Sequence, residues 1–327
     1  MILALGKTFL VLIMGTMSGY LFQKWMRKQQ FFTPEKLKKW AIFLQKLGMI
    51  WLMSITYIGS LWIFEIKSLS EIISLPLVGA VIIMAGGFFA LVIAKYNHYN
   101  RIDSGSLFSC GFFANTVTLG GMICFFYLGE AGYALVPIQT FLMRLLYYGV
   151  GFPVARIYSS EHSPEENIAQ RLFTILKDPF FNVGVGSVFI GLLLNLSSLP
   201  RPRIYTGINE IFIPLATFVL LFSVGLNLRF SRINQYLKEC LYISLIKFLA
   251  VPLTTLAIAF LLKYQSVDNA LPLKVSMIMA AMPVAFNSVI AANIYNLNTD
   301  LVNSCWVFTT FGVIFVLPPL LLFLNLF

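Results

Sequence analysis

Charge is what this chain has least of. Only 11% of its 327 residues are Asp, Glu, Lys or Arg, against about 25% in an ordinary soluble domain. Acid is scarcer still: 13 Asp and Glu face 23 Lys and Arg. Within the apolar runs no carboxylate lies deep, since Glu65, Glu130 and Asp300 stand at the ends of theirs. That excludes a buried acid pair for catalysis and disfavours an Asp/Glu proton relay.

Metal and nucleophile signatures are missing as well. The four cysteines, Cys110, Cys124, Cys240 and Cys305, form no C-x-x-C pair. Each sits in or beside an apolar run, where a free cysteine serves as a small core residue. The two histidines, His98 and His162, fall in polar connections. No metal site and no cofactor is expected. There is no H-E-x-x-H and no G-x-S-x-G, and the glycines of G-V-G-S-V-F (184–189) do not match a dinucleotide fingerprint. The expectation is a protein that is not an enzyme.

What is present is hydrophobicity, 59% of the chain, in continuous runs of twenty residues or so. A helix needs about 20 residues to cross the hydrocarbon core. A membrane barrel would instead alternate in segments of about ten. The composition therefore predicts an all-α membrane protein. Ten transmembrane helices are expected, near 3–22, 40–63, 72–94, 107–128, 132–155, 180–196, 211–228, 241–262, 273–295 and 301–323. The first is too long for the core of a cleaved leader and ends in Lys24, Arg27 and Lys28, so it reads as a span.

The net charge of +10 does not point to nucleic acid, because the basic residues flank the spans on one side. With the N-terminus outside, the inside segments hold fourteen Lys and Arg and the outside segments six. The positive-inside rule then places both termini outside a plasma membrane. The most polar connection, rich in Glu161, Pro164, Glu165 and Glu166, splits the chain into residues 1–156, a cytoplasmic loop 157–178, and residues 179–327. Each half carries five spans. An odd number forces the halves into opposite orientations, the plan of two inverted five-helix repeats.

The fourth span of each half is the most interrupted. Span four carries Asn115, Thr116 and the pair Gly120-Gly121; span nine carries Pro283, Asn287 and Ser288, with Asn293 beyond. Proline removes a backbone donor and frees a carbonyl one turn back. Such breaks at membrane depth survive inside protein or beside a polar cavity. Half-helix N-termini there suit a carboxylate. Asn115, Thr116, Gly120, Gly121, Pro283, Asn287 and Ser288 are the candidate substrate-binding residues. Lys46, Arg144 and Lys247 fall within spans two, five and eight. Lys46, near the inner face, reads as a snorkelling residue. Arg144 and Lys247 are candidate anion-attracting residues, and cations without a deep carboxylate favour an anionic substrate.

These segments carry a resemblance. F-F-A-N-T-V-T-L-G-G followed by Y-L-G-E-A-G (112–132), A-A-M-P-V-A-F-N-S-V-I-A-A-N-I-Y with a later Asp (280–300), and F-F-N-V-G-V-G with G-L-L-L-N (180–195) resemble the auxin efflux carrier family, the bacterial relatives of plant PIN proteins. The likeness extends over nearly the whole chain. It implies ten helices in two inverted repeats, broken helices four and nine crossing beside the substrate, and export or exchange of small carboxylates by alternating access. The family pattern carries prolines where this chain has Ala114 and Met122, and another near 46–48, and only Pro283 is kept. The expected partners are a small organic anion and the lipid bilayer, with a homodimer as the candidate assembly. Competing expectations are a sodium-coupled carboxylate or bile-acid-type symporter, which wants acidic side chains absent here, and a membrane sensor that transports nothing.

Overall fold

The computed structural model describes residues 2–28, 34–64, 69–159, 179–197, 199–228 and 233–327. Most of the connecting loop 157–178, His162 with it, lies outside the described residues. The described chain is all-helical. In order run α1 (Ile2–Lys28), α2 (Pro34–Lys46), α3 (Met53–Ile63), α4 (Leu69–Tyr96), α5 (Arg101–Phe112), α6 (Gly121–Gln139), α7 (Met143–Leu146) and α8 (Phe152–Ile157). Then come α9 (Pro179–Leu196), α10 (Ile204–Gly225), α11 (Leu237–Leu245), α12 (Val251–Leu261), α13 (Leu271–Ala280), α14 (Phe286–Ile294) and α15 (Thr299–Leu324). Wide π-turns join several of these, at Leu47–Leu52, Thr116–Gly120, Tyr147–Gly151 and Ile246–Ala250.

Among the described residues seven helical stretches are long and apolar enough to cross a membrane. The chain is thus a multi-pass membrane protein, with many large apolar side chains turned outward. Leu10, Phe88, Leu249 and Phe315 are all exposed, while Thr56, Asn209, Thr217 and Ser276 are fully buried. That arrangement is stable only where lipid surrounds the protein. Seven falls short of the ten expected, for visible reasons. One stretch, Thr116–Ile157, runs for 42 residues. Span nine is divided into α13 and α14, each too short to count by itself. Asn182–Leu196 is apolar but short.

The chain divides into two compact units. The first comprises Met1–Lys67, Gly121–Pro137 and Lys177–Leu228. Its core is α1 against α10, which approach to backbone contact. A Cβ on Gly19 would lie 2.2 Å from the Phe222 carbonyl, and one on Gly225 2.3 Å from that of Thr16. Several polar groups inside this unit are paired: the Asn195 amide donates to the carbonyls of Leu61, Trp62 and Phe64, closing the C-terminal end of α3. Arg201 binds Glu130 at 2.6 Å and the Gly59 carbonyl at 3.1 Å. Thr56 and Tyr133 share a hydrogen bond of 2.9 Å.

The second unit comprises Ser68–Gly120, Ile138–Leu176 and Arg229–Phe327. Here α4 and α5 touch through glycines. A Cβ on Gly86 would stand 2.2 Å from the Gly111 carbonyl, and one on Gly111 2.3 Å from that of Gly86. At the ends of the helices, Asn100 caps α5 by accepting from Asp103, and Asn298 caps α15 by accepting from Leu301. Between α4 and α5 the Tyr99 hydroxyl donates to Glu239 at 2.6 Å. Burial, and then that bond, push the Tyr99 phenol up from its ordinary value.

Candidate functional site

The second unit contains a crossing of two interrupted helices. Helix α5 stops at Phe112, and after three extended residues the chain resumes as the Thr116–Gly120 turn. Helix α13 stops at Ala280, and α14 begins at Phe286. The two gaps pair as a short antiparallel bridge between Ala114 and Val284. The Asn115 N–H donates to the Pro283 carbonyl at 2.9 Å, and the Ala285 N–H to the Phe113 carbonyl at 3.1 Å. A helix that breaks inside a membrane must find new partners for the freed backbone groups, and the two breaks supply them to each other.

Side chains satisfy two further amides of the gaps. The Ala114 N–H donates to the Tyr147 hydroxyl at 3.2 Å, and that hydroxyl donates to the Ala114 carbonyl at 3.0 Å. The Val284 N–H donates to Thr309 Oγ1 at 3.2 Å. The C-terminal carbonyls of α5 meet a cation: Lys247 Nζ donates to the Gly111 carbonyl at 2.6 Å and to that of Phe113 at 3.2 Å. Phe113 packs edge-on against Tyr147 with ring centroids 4.9 Å apart, and Phe152 lies 5.1 Å from it. The crossing is thus walled by aromatic rings on one side.

The sequence-predicted residues divide by what they touch. Asn115 and Asn287 are partly exposed, and neither amide side chain has a hydrogen-bond partner among the described residues. Thr116 is buried and its hydroxyl donates to Met143 Sδ at 3.4 Å. Ser288 is buried and its hydroxyl donates to the Ala285 carbonyl at 2.7 Å, closing the first turn of α14. Pro283 is buried in the gap itself. Gly120 ends the π-turn, where a Cβ would come within 2.8 Å of Met279 Sδ. Gly121 opens α6 and belongs to the first unit, where a Cβ would lie 3.4 Å from Tyr133.

Of the cations in the spans, Lys46 is exposed at the end of α2, and Arg144 is half-buried on α7. Lys247, read from sequence as an anion attractor, is 1% exposed and holds backbone carbonyls instead of standing open. Sequence reading did not single out Tyr147 or Thr309. Each lies far along the chain from the backbone it serves, so no local pattern marks it. It also missed the interruption of span five, where α6 ends at Gln139 and α7 begins at Met143. Pro137, just upstream, was the available signal. No cluster of metal-ligating side chains occurs among the described residues.

No protein-family profile matches the chain. A curated relative, an uncharacterized transporter of Methanothermobacter thermautotrophicus, is 22% identical over 267 residues, covering 78% of this chain and 79% of its own length. At that identity the likeness reaches as far as transport proteins in general: this is an all-helical, multi-pass membrane protein similar to a transporter.

Proposed function

We propose that this protein is a secondary transporter of small organic anions, carboxylates above all, working by alternating access in the plasma membrane. The observation that carries this reading is the crossing of two broken helices at Ala114 and Val284, with two partly exposed amides, Asn115 and Asn287, beside it. Helix α14 begins at the crossing, so the N–H groups of Phe286 and Asn287 at its start have no intrahelical acceptor, while that of Ser288 donates to the Ala285 carbonyl at 3.1 Å, and this helix end carries a partial positive charge. A carboxylate there accepts from those groups and from the amides. The relative's description as a transporter supports the same reading at the level of class.

The proposed architecture is ten spans in two inverted five-helix repeats. The stretch Thr116–Ile157 supports two crossings. As one straight helix its 42 residues would reach about 63 Å, roughly twice the hydrocarbon thickness. It is kinked at Gly129 (φ 71°) and interrupted after Gln139. The compact units lend support to the repeat. Spans one, two, six and seven fall in the first unit, and spans three, eight, nine and ten in the second. Each half of the chain therefore contributes its first two spans to one unit and its third to the other, while spans four and five are divided between the units. The matching interrupted spans, four and nine, provide the crossing.

Counterflow in proteoliposomes tests the function. Vesicles preloaded with a panel of mono- and dicarboxylates should accumulate the matching labelled anion only when the protein is present. Absence of exchange across the panel, with the protein monodisperse and correctly inserted, would remove the carrier reading in favour of a sensor. A requirement for an inward sodium gradient would favour the symporter.

A further inference from the structure

The side chain of Lys247 is 1% exposed, on the π-turn Ile246–Ala250, and its ammonium meets no carboxylate among the described residues. A buried, unpaired ammonium is costly, so the contacts it does make are informative. Both are backbone carbonyls at the C-terminal end of α5, Gly111 at 2.6 Å and Phe113 at 3.2 Å. These are the groups a helix leaves without partners at its negative end. The Phe113 carbonyl also accepts from the Ala285 N–H, so the same oxygen ties the ammonium to the crossing. The glycine contact brings Gly86 in beside it: a Cβ there would lie 3.6 Å from Nζ. Cys110 on α5 is the titratable group next to it.

Freed carbonyls at the C-terminal end of a half-helix are where coupled transporters bind an alkali cation. We infer that Lys247 is a tethered substitute for such a cation: a positioning residue whose ammonium neutralises the carbonyl end of α5, holds the crossing open, and makes transport independent of sodium and potassium. The inference rests on the transport reading for its flux arm alone. An ammonium and a small monovalent cation are alike in charge and in their demand for oxygen ligands. Shortening the side chain while keeping the carbonyls should therefore uncover a site for a free monovalent cation.

The test compares wild type with Lys247→Ala, Lys247→Met and Lys247→Arg in sodium, ammonium and choline chloride. Both melting temperature and carboxylate counterflow are measured. Wild type should behave alike in all three salts. Lys247→Ala should lose about tenfold or more of its flux in choline, the scale of a lost bond to a charged group, and should regain flux and melting temperature in sodium or ammonium. Lys247→Met, which fills the space, should lose flux without that recovery. A residue that merely packs would show the reverse, with methionine adequate and no salt response. Wild-type flux that needs sodium overturns the inference, as does a Lys247→Ala protein whose melting temperature ignores the cation or that recovers in none. If wild type carries no carboxylate at all, the transport reading falls, and the salt dependence of melting still decides the role of Lys247.

Discussion

The backbone N–H of Asn115 reaches the carbonyl of Pro283 across 2.9 Å, joining two helix breaks that lie 168 positions apart in the chain (283 minus 115). Among the described residues the Asn115 side chain has no hydrogen-bond partner. A main-chain group holds the crossing, and the amide beside it stays partly exposed.

Asn115→Ala and Asn287→Ala should each weaken carboxylate binding. A lost hydrogen bond to a charged group costs about 1.5–3 kcal/mol, or roughly 10- to 150-fold in affinity. Because neither amide has a hydrogen-bond partner among the described residues, melting temperatures should stay near wild type. Equilibrium binding of the transported anion checks both; unchanged affinity in both variants removes these residues from the site.

Thr116→Val and Ser288→Ala should behave differently, although both positions read as substrate-binding from sequence. Their hydroxyls are committed to Met143 and to the Ala285 carbonyl. The expected signature is a lower melting temperature with little change in affinity for the anion. A thermal melt beside a binding isotherm separates the two classes.

Tyr147→Phe removes one hydroxyl that serves both the N–H and the carbonyl of Ala114. Two buried backbone groups lose their partner, at about 1–3 kcal/mol each when left unsatisfied. A clear fall in melting temperature is expected, together with reduced flux because the crossing loosens.

Pro283→Ala restores an amide donor and removes the ring clash, so α13 can extend toward α14. Flux should fall more than stability. The bridge from Asn115 and Ala285 survives the substitution, which sets a limit on how far the helices can rejoin. Wild-type flux in this variant would mean that the bridge alone keeps the gap open.

Topology is open to direct labelling. Glu166→Cys and Phe327→Cys, each in a cysteine-free background, should react with an impermeant thiol reagent from opposite sides, position 327 from outside intact cells. Labelling of position 166 from outside would invert the proposed orientation.

Sequence alone revealed the break in span nine, because Pro283 is a local cause of a local effect. It placed the break in span four less well. Asn115 and Gly120-Gly121 were the visible interruptions, whereas the extended residues are Phe113, Ala114 and Asn115 and the glycines lie at the join of the π-turn to α6. No residue type announces that gap; it exists because Val284 and Pro283 cross there. Lys247 shows the same limit from another side. A cation within an apolar run is legible as unusual, but its acceptors are carbonyls, which every residue has, so their identity emerges only in three dimensions. The wide turns at Tyr147–Gly151 and Ile246–Ala250 each run into a proline, Pro153 and Pro252, which frees a carbonyl one turn back; that signal was present in the sequence and was not used.

The most direct test of the account is counterflow of a labelled carboxylate in proteoliposomes, run on wild type and on the double variant Asn115→Ala/Asn287→Ala under one set of conditions. The account predicts saturable exchange in wild type and its near loss in a double variant that remains folded and monodisperse. Equal exchange by both proteins would contradict the crossing as the place where the anion binds.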